Sequence, residues 1–171
     1  MDQLVSSFYR LLSLLAGLAL IAAFGAVCLG ILARQFDWDL PGLDAYAGFS
    51  IAAALFLALP DTFRRGDHLR VSLLVNRLSV RAREALEYLC LGAGLALSTY
   101  FCWFAARLVW TSYLMNDVSP AADATPLWIP QSLMALGAFG FCLAFAEALL
   151  AKLRSQPQFA ASNDAEIARA E

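Results

Sequence analysis

Residues 11–33, LLSLLAGLALIAAFGAVCLGILA, form an apolar run that begins directly after Arg10 and ends directly before Arg34. An α-helix needs roughly 20 residues to cross a bilayer core of about 30 Å, because each residue adds about 1.5 Å. The run meets this length without a charged side chain and predicts a membrane-spanning helix. The alternative, a cleaved signal peptide, is disfavoured because the apolar core of such a peptide is usually only about 7–15 residues long.

Three more stretches lack charged side chains, at residues 45–60, 88–106 and 124–146. The first of them is short, and Leu40, Gly42 and Leu43 extend it if Asp44 lies at the membrane interface or faces protein. The runs are continuous rather than alternating, which favours helices over the strands of a barrel. The sequence thus predicts an all-α integral membrane protein with four transmembrane helices in a bundle over residues 1–150, and a polar tail over residues 151–171.

The overall composition agrees with this class of protein. Of the 171 residues, 61% are hydrophobic and 15% are charged, whereas soluble domains have about 45–50% apolar and about 25% charged residues. The formal net charge of −2 supplies no basic field for nucleic acid, so we expect no nucleic-acid partner.

The basic residues predict the orientation of the helices, because Lys and Arg accumulate in cytoplasmic segments. Ten of the twelve lie in the amino-terminal arm, in the loop between the second and third spans, or in the tail, which four spans place on one side. Only Arg34 and Arg107 lie on the other side. Both termini are therefore predicted to be cytoplasmic.

The chemistry-bearing residues do not form a recognisable reactive or metal-binding set. The four cysteines, Cys28, Cys90, Cys102 and Cys142, lie in apolar runs without a C-x-x-C spacing, and His68 is the only histidine. A structural zinc site or a bis-histidine haem would need more ligands. The span centres contain only Ser and Thr as polar groups. We therefore predict no enzyme activity, no cofactor, no metal, and no transport pathway within this chain alone.

Small residues recur at every fourth position of the third span, and the other spans carry similar stripes. Such a stripe lies on one helix face and allows close approach of another helix. It serves packing within the bundle or docking of another membrane subunit, and the spacing leaves both possibilities open. The candidate docking stripe consists of Cys90, Gly94, Ser98, Cys102 and Ala106.

The loop after the second span begins PDTFRRGDHLRV at Pro60, and Pro60 and Gly66 are predicted to break the helix there. From Val71 to Ala82 apolar residues recur at helical spacing among arginines. This pattern predicts a basic amphipathic segment between the second and third spans. Such segments usually lie on membrane lipid headgroups. The alternative is that Asp67 or His68 fixes the loop, so that the segment orients the third span.

This loop resembles the signature of the small membrane subunit of TRAP transporters, the DctQ family. The resemblance rests on the loop residues Arg64, Arg65, Gly66, Asp67 and His68, followed by aliphatic residues. An acidic and aromatic loop before the second span, with Asp37, Trp38, Asp39 and Asp44, is also similar. Many members carry paired acids where this chain has Asp44 followed by Ala45, so a role that needs the second carboxylate is not carried over.

The resemblance implies a tripartite, sodium-driven symporter for organic acids in the bacterial inner membrane. Its partners would be a large permease subunit, which holds the substrate and sodium sites, and a periplasmic substrate-binding protein. The small subunit would enlarge the static scaffold against which an elevator domain of the permease moves. The alternatives are a non-catalytic subunit of another membrane complex, or an independent carrier or membrane enzyme.

Overall fold

The computed structural model of the chain describes residues 2–38, 40–64, 80–120 and 124–154. They form four helices: α1 (Asp2–Gln35), α2 (Leu43–Arg64), α3 (Val80–Met115) and α4 (Trp128–Leu153). All four are long and apolar enough to cross a membrane. The predicted all-α class and the four spans are confirmed.

The helices pack in an open row, in the order α1, α2, α4, α3. Extensive contacts join α1 to α2, α2 to α4 and α4 to α3, whereas α1 meets α4 in only a few places. In the most apolar stretch of α2 and of α4, 28% of the residues are buried, against 11% in α1 and in α3. The inner pair therefore forms the centre of the bundle, and each outer helix has a broad apolar face open to its surroundings.

The face of α1 that packs against the bundle follows a three-four spacing. Its buried residues include Tyr9, Leu12, Ala16 and Ala23. Intervals of three and four keep side chains on one face of a helix, as in the contact seams of paired helices. Tyr9, Leu12 and Ala16 join residues of α2 and α4 in a single buried cluster.

Pro60 does not break α2, contrary to the prediction from sequence. The helix continues through Pro60 to Arg64, and Pro60 is buried. Because proline has no N–H, the carbonyl of Phe56 loses its partner within α2. That carbonyl lies against Gly137 of α4, so close that a Cβ atom there would be 2.4 Å from its oxygen. The backbone of α4 therefore packs directly against the carbonyl that proline leaves without its helical partner.

A second glycine continues this contact one turn further along α4. A Cβ atom on Gly140 would lie 2.9 Å from Cγ of Pro60 and 2.6 Å from Cδ1 of Leu12. Small residues are the usual means by which membrane helices approach closely. Gly137 and Gly140 together bring α4 into contact with the backbone of α2 and with the core side of α1.

The connections from α1 to α2 and from α3 to α4 lie together at what we call the connector end. A residue with a positive φ follows closely on the end of α1 and of α3, Asp37 at 54° and Asn116 at 52°. In each case the next amide donates back over a full turn, from Trp38 to the Ala33 carbonyl at 2.9 Å and from Asp117 to the Ser112 carbonyl at 3.0 Å. This arrangement satisfies carbonyls that a helix end otherwise leaves unpaired.

Candidate functional site

The loop that carries the family signature is described only at its first residue. Arg64 is the last residue of α2. Arg65, Gly66, Asp67 and His68 lie outside the described residues, as does the predicted amphipathic segment up to residue 79; its last residues form the first turn of α3. The predicted roles of the loop residues therefore stay predictions. The geometry that follows concerns Arg64, where the loop leaves α2.

Arg64 joins three helices at the end of the bundle opposite the connectors, which we call the basic end. Its Nε atom lies 3.8 Å from Oε2 of Glu147 on α4. Its guanidinium carbon lies 4.2 Å from the centroid of the Tyr9 ring on α1, and Tyr9 is only 1% exposed. Placed over an aromatic face and beside a carboxylate, the arginine gains a cation–π and an ionic interaction. We call these residues the Tyr9–Arg64–Glu147 cluster; it fixes the start of the loop to α1 and α4.

The residue before Arg64 connects the loop to the predicted docking stripe. The ring of Phe63 packs on Phe145 with centroids 4.2 Å apart and meets Phe141 edge-on at 5.9 Å. Phe145 in turn lies directly over Gly94 of α3, where a Cβ atom would be 2.3 Å from the ring. A chain of close contacts therefore runs from α2 through the aromatic face of α4 to the middle of α3.

The candidate docking stripe is partly used within the chain. Ser98 is buried, Gly94 and Cys102 are half-buried, and the two ends, Cys90 and Ala106, are exposed. The Ser98 hydroxyl donates to the Leu95 carbonyl at 3.1 Å, within its own helix. The middle of the stripe thus packs on α4, and docking of another subunit stays a prediction that concerns the exposed ends.

A second ion pair at the basic end joins the outer helix α3 to α4. Lys152 contacts the carboxylate of Glu87, and its ammonium lies 5.7 Å from the centroid of the Tyr88 ring. Together with the Tyr9–Arg64–Glu147 cluster, this pair links all four helices at the end where the signature loop begins.

The acidic and aromatic loop lies at the connector end. Trp38 stacks on Phe36 with centroids 5.5 Å apart, and Asp44 pairs with Arg34 at 3.2 Å in an exposed position. Tyr46 on α2 shares a 2.9 Å hydrogen bond with Thr125 in the α3–α4 connection. Asp39 lies outside the described residues. The loop is therefore held by α1 and α2, and a side-chain hydrogen bond joins α2 to the α3–α4 connection.

Among the residues that the structure describes, no three His, Cys, Asp or Glu side chains are grouped so as to hold a metal ion. The four cysteines are free. Thr99 and Cys142 approach to 3.3 Å between α3 and α4, which is a packing contact between two helices. The described geometry is that of packed helices with charged groups confined to their ends.

Sequence reasoning missed two features of this site. Tyr9 and Glu147 were not recognised as partners of Arg64, although a charged residue within a turn or two of a span end is a signal that a partner is needed. Gly137 and Gly140 were not selected either, although a proline inside one span and a Gly-x-x-Gly in another together indicate a close crossing.

One comparison with known proteins identifies the family. A family model described as tripartite ATP-independent periplasmic transporters, DctQ component, matches residues 23–155. The match includes three of the four helices completely, the carboxyl-terminal part of α1 from residue 23 to residue 35, and the whole signature loop. No individual curated protein is significantly similar in sequence. Since the matched residues make up well over half of the chain, the protein belongs to the DctQ family and is a small subunit of a TRAP transporter.

Proposed function

We propose that this chain is the scaffold subunit of a sodium-coupled organic acid transporter in the bacterial inner membrane. A large permease subunit carries the substrate and sodium sites, and a periplasmic binding protein delivers the substrate. Both termini and the signature loop face the cytoplasm. The chain supplies no substrate ligand; it provides helices that anchor the permease in the lipid.

The observation that carries this proposal is the open row of helices. In a row, the outer helices α1 and α3 have their apolar faces available to a partner or to lipid, while α2 and α4 hold the row together. A moving transport domain exerts force on the rest of the complex, and a wide row of helices embedded in lipid resists tilting. The contacts at the basic end oppose shearing of the row.

The proposal is tested by uptake in cells that express the permease and binding protein of the same system, with and without this chain. We expect sodium-dependent uptake of a radiolabelled organic acid only when the chain is present. Alanine variants of Asp44, Arg107 and Glu147 should affect only the amount of uptake and leave the substrate preference unchanged. When a panel of organic acids is ordered by rate of uptake, the order should be the same in each variant as in the wild type.

Two results would contradict the proposal. Full uptake without the chain would show that the scaffold is dispensable. An altered ranking of substrates in any of the three variants would place this chain in the substrate pathway.

A further inference from the structure

A cavity of 380 Å³ opens between α1 and α2 at the basic end. On α1 it is lined by Ser6, Arg10 and Ser13, which are spaced by four and three residues and therefore share one helix face. On α2 it is lined by Asp61 and Arg64. Two guanidinium groups, one carboxylate and two serine hydroxyls thus line one space, together with Tyr9 and Leu14.

The cavity lies where the apolar part of α1 begins. Arg10 directly precedes the uncharged run 11–33, and Leu14, one turn further into that run, also lines the cavity and is 58% exposed. The 34 residues of α1 span roughly 51 Å, which exceeds a hydrocarbon core of about 30 Å. Arg10 therefore lies at the depth of the lipid headgroups, and Leu14 lies at the depth where the acyl chains begin.

The charges of the lining suit a singly charged anion. Arg64 is shared with Glu147 at 3.8 Å, whereas no carboxylate among the described residues lies within ion-pair distance of Arg10. Because Glu147 offsets Arg64 and Asp61 is a carboxylate of the lining, Arg10 is the cation of the lining that an anion would approach. A phosphodiester carries one negative charge, and the fork of an arginine matches two of its oxygens.

We propose that this cavity binds the phosphodiester of a membrane phospholipid. Arg10 is the principal ligand, the Ser6 and Ser13 hydroxyls are further donors, and one acyl chain follows α1 past Leu14. The bound lipid fills the gap between α1 and α2 beside the Tyr9–Arg64–Glu147 cluster. This inference does not depend on the transporter assignment, because it rests on the cavity and its position along α1.

The test uses the full-length chain, purified in detergent and examined by native mass spectrometry. Dioleoylphosphatidylglycerol and dioleoylphosphatidylethanolamine are the probes that contain both phosphodiester and chains. Glycerophosphoglycerol supplies the phosphodiester without chains, and dioleoylglycerol supplies the chains without phosphate. We expect one phospholipid to bind saturably, and both partial probes to bind at least about tenfold more weakly.

Arg10→Gln should weaken phospholipid binding about tenfold, since it removes the charged donor pair. Arg10→Lys should cause a smaller loss, because the charge remains and the fork is lost. Arg107→Gln is the matched control, as Arg107 is exposed and lies outside the cavity. Circular dichroism establishes that each variant is folded.

Three outcomes would overturn the proposal. Equal lipid binding by Arg10→Gln and wild type would remove Arg10 as the ligand. Equal affinity for glycerophosphoglycerol would indicate a site for soluble phosphodiesters, and equal affinity for dioleoylglycerol would indicate an apolar groove without headgroup recognition.

Discussion

Arg64 illustrates how a single charged residue is accommodated near the end of a membrane span. Its side chain and that of Glu147 are 24% and 29% exposed, so each is partly removed from water. A charge in this position is costly unless it is paired. The Tyr9 ring and the Glu147 carboxylate supply that pairing from two other helices, which makes Arg64 a link in the tertiary structure as well as the first residue of the signature loop.

We predict that Arg64→Gln lowers the free energy of unfolding by about 1–3 kcal/mol, because Glu147 is left partly buried without its cation. The measurement is unfolding of the full-length chain in mixed detergent micelles. Adding Glu147→Gln should restore part of the loss. Arg34→Gln is the control: its partner is Asp44, the two side chains are 78% and 90% exposed, and exposed pairs contribute at most about 1 kcal/mol. Equal losses in the two single variants would contradict the role given to Arg64.

The sequence identified Arg64 through the family resemblance, but it did not identify the partners of Arg64. Which side chains meet across three helices depends on how far each helix is rotated about its axis and displaced along it. An apolar run defines neither quantity. The same holds for Gly94: spacing placed it on a stripe, while only the packed structure shows that Phe145 covers it.

At the scale of the helix, length and absence of charge predicted three spans directly, and the second span once its run was extended past Asp44 to Leu43. The ends were predicted less well, because helices continue past the hydrophobic region wherever no residue stops them. Pro60 is the clearest example. A proline usually interrupts a helix, yet here α2 continues through Pro60, and Gly137 of α4 packs against the carbonyl of Phe56. That contact is a property of two helices together, and the sequence of one cannot reveal it.

The crossing of α2 and α4 at Gly137 is tested by Gly137→Ala. The added Cβ would lie 2.4 Å from the Phe56 oxygen and 2.9 Å from the Leu57 nitrogen, and backbone atoms move aside only if the helices separate. We expect a loss of about 1–3 kcal/mol in stability. Gly25→Ala is the matched control on α1, since no atom lies within 4 Å of its Cβ position. A stability of Gly137→Ala equal to that of the control would show that the helices are not in close contact.

The candidate docking stripe is tested by two substitutions at different depths. Gly94→Leu should destabilise the isolated chain, because Phe145 occupies the space. Ala106→Leu at the exposed end should leave the isolated chain stable. If the stripe docks the permease, Ala106→Leu should reduce the amount of permease that co-purifies by about tenfold, as one close helix contact would be lost. Co-purification equal to that of the wild type would show that this end of the stripe does not contact the permease.

At the scale of the whole molecule, charge is distributed so that the two ends differ. The basic end holds the Tyr9–Arg64–Glu147 cluster, the Lys152–Glu87 pair and the proposed phospholipid site. The connector end is held by backbone hydrogen bonds within each connection, by the Tyr46–Thr125 hydrogen bond and by the exposed Arg34–Asp44 pair. The ion pairs at the basic end are less exposed than the pair at the connector end. Because exposed pairs contribute at most about 1 kcal/mol, we expect the basic end to be the more firmly held of the two.

The difference between the ends predicts the orientation of the chain, with the basic end in the cytoplasm. Positively charged segments are retained on that side during insertion, and ten of the twelve basic residues belong to sequence segments that four spans would place there. A reporter that fluoresces only in the cytoplasm should therefore be active when fused after residue 154, where α4 and its Lys152–Glu87 pair are intact. The same reporter fused after Asp117, in the α3–α4 connection, should be inactive.

A reporter that is active only outside the cytoplasm serves as the control and should give the opposite pattern. Fluorescence from the Asp117 fusion together with a dark fusion after residue 154 would place the basic end outside the cytoplasm, and the signature loop could then have no cytoplasmic role.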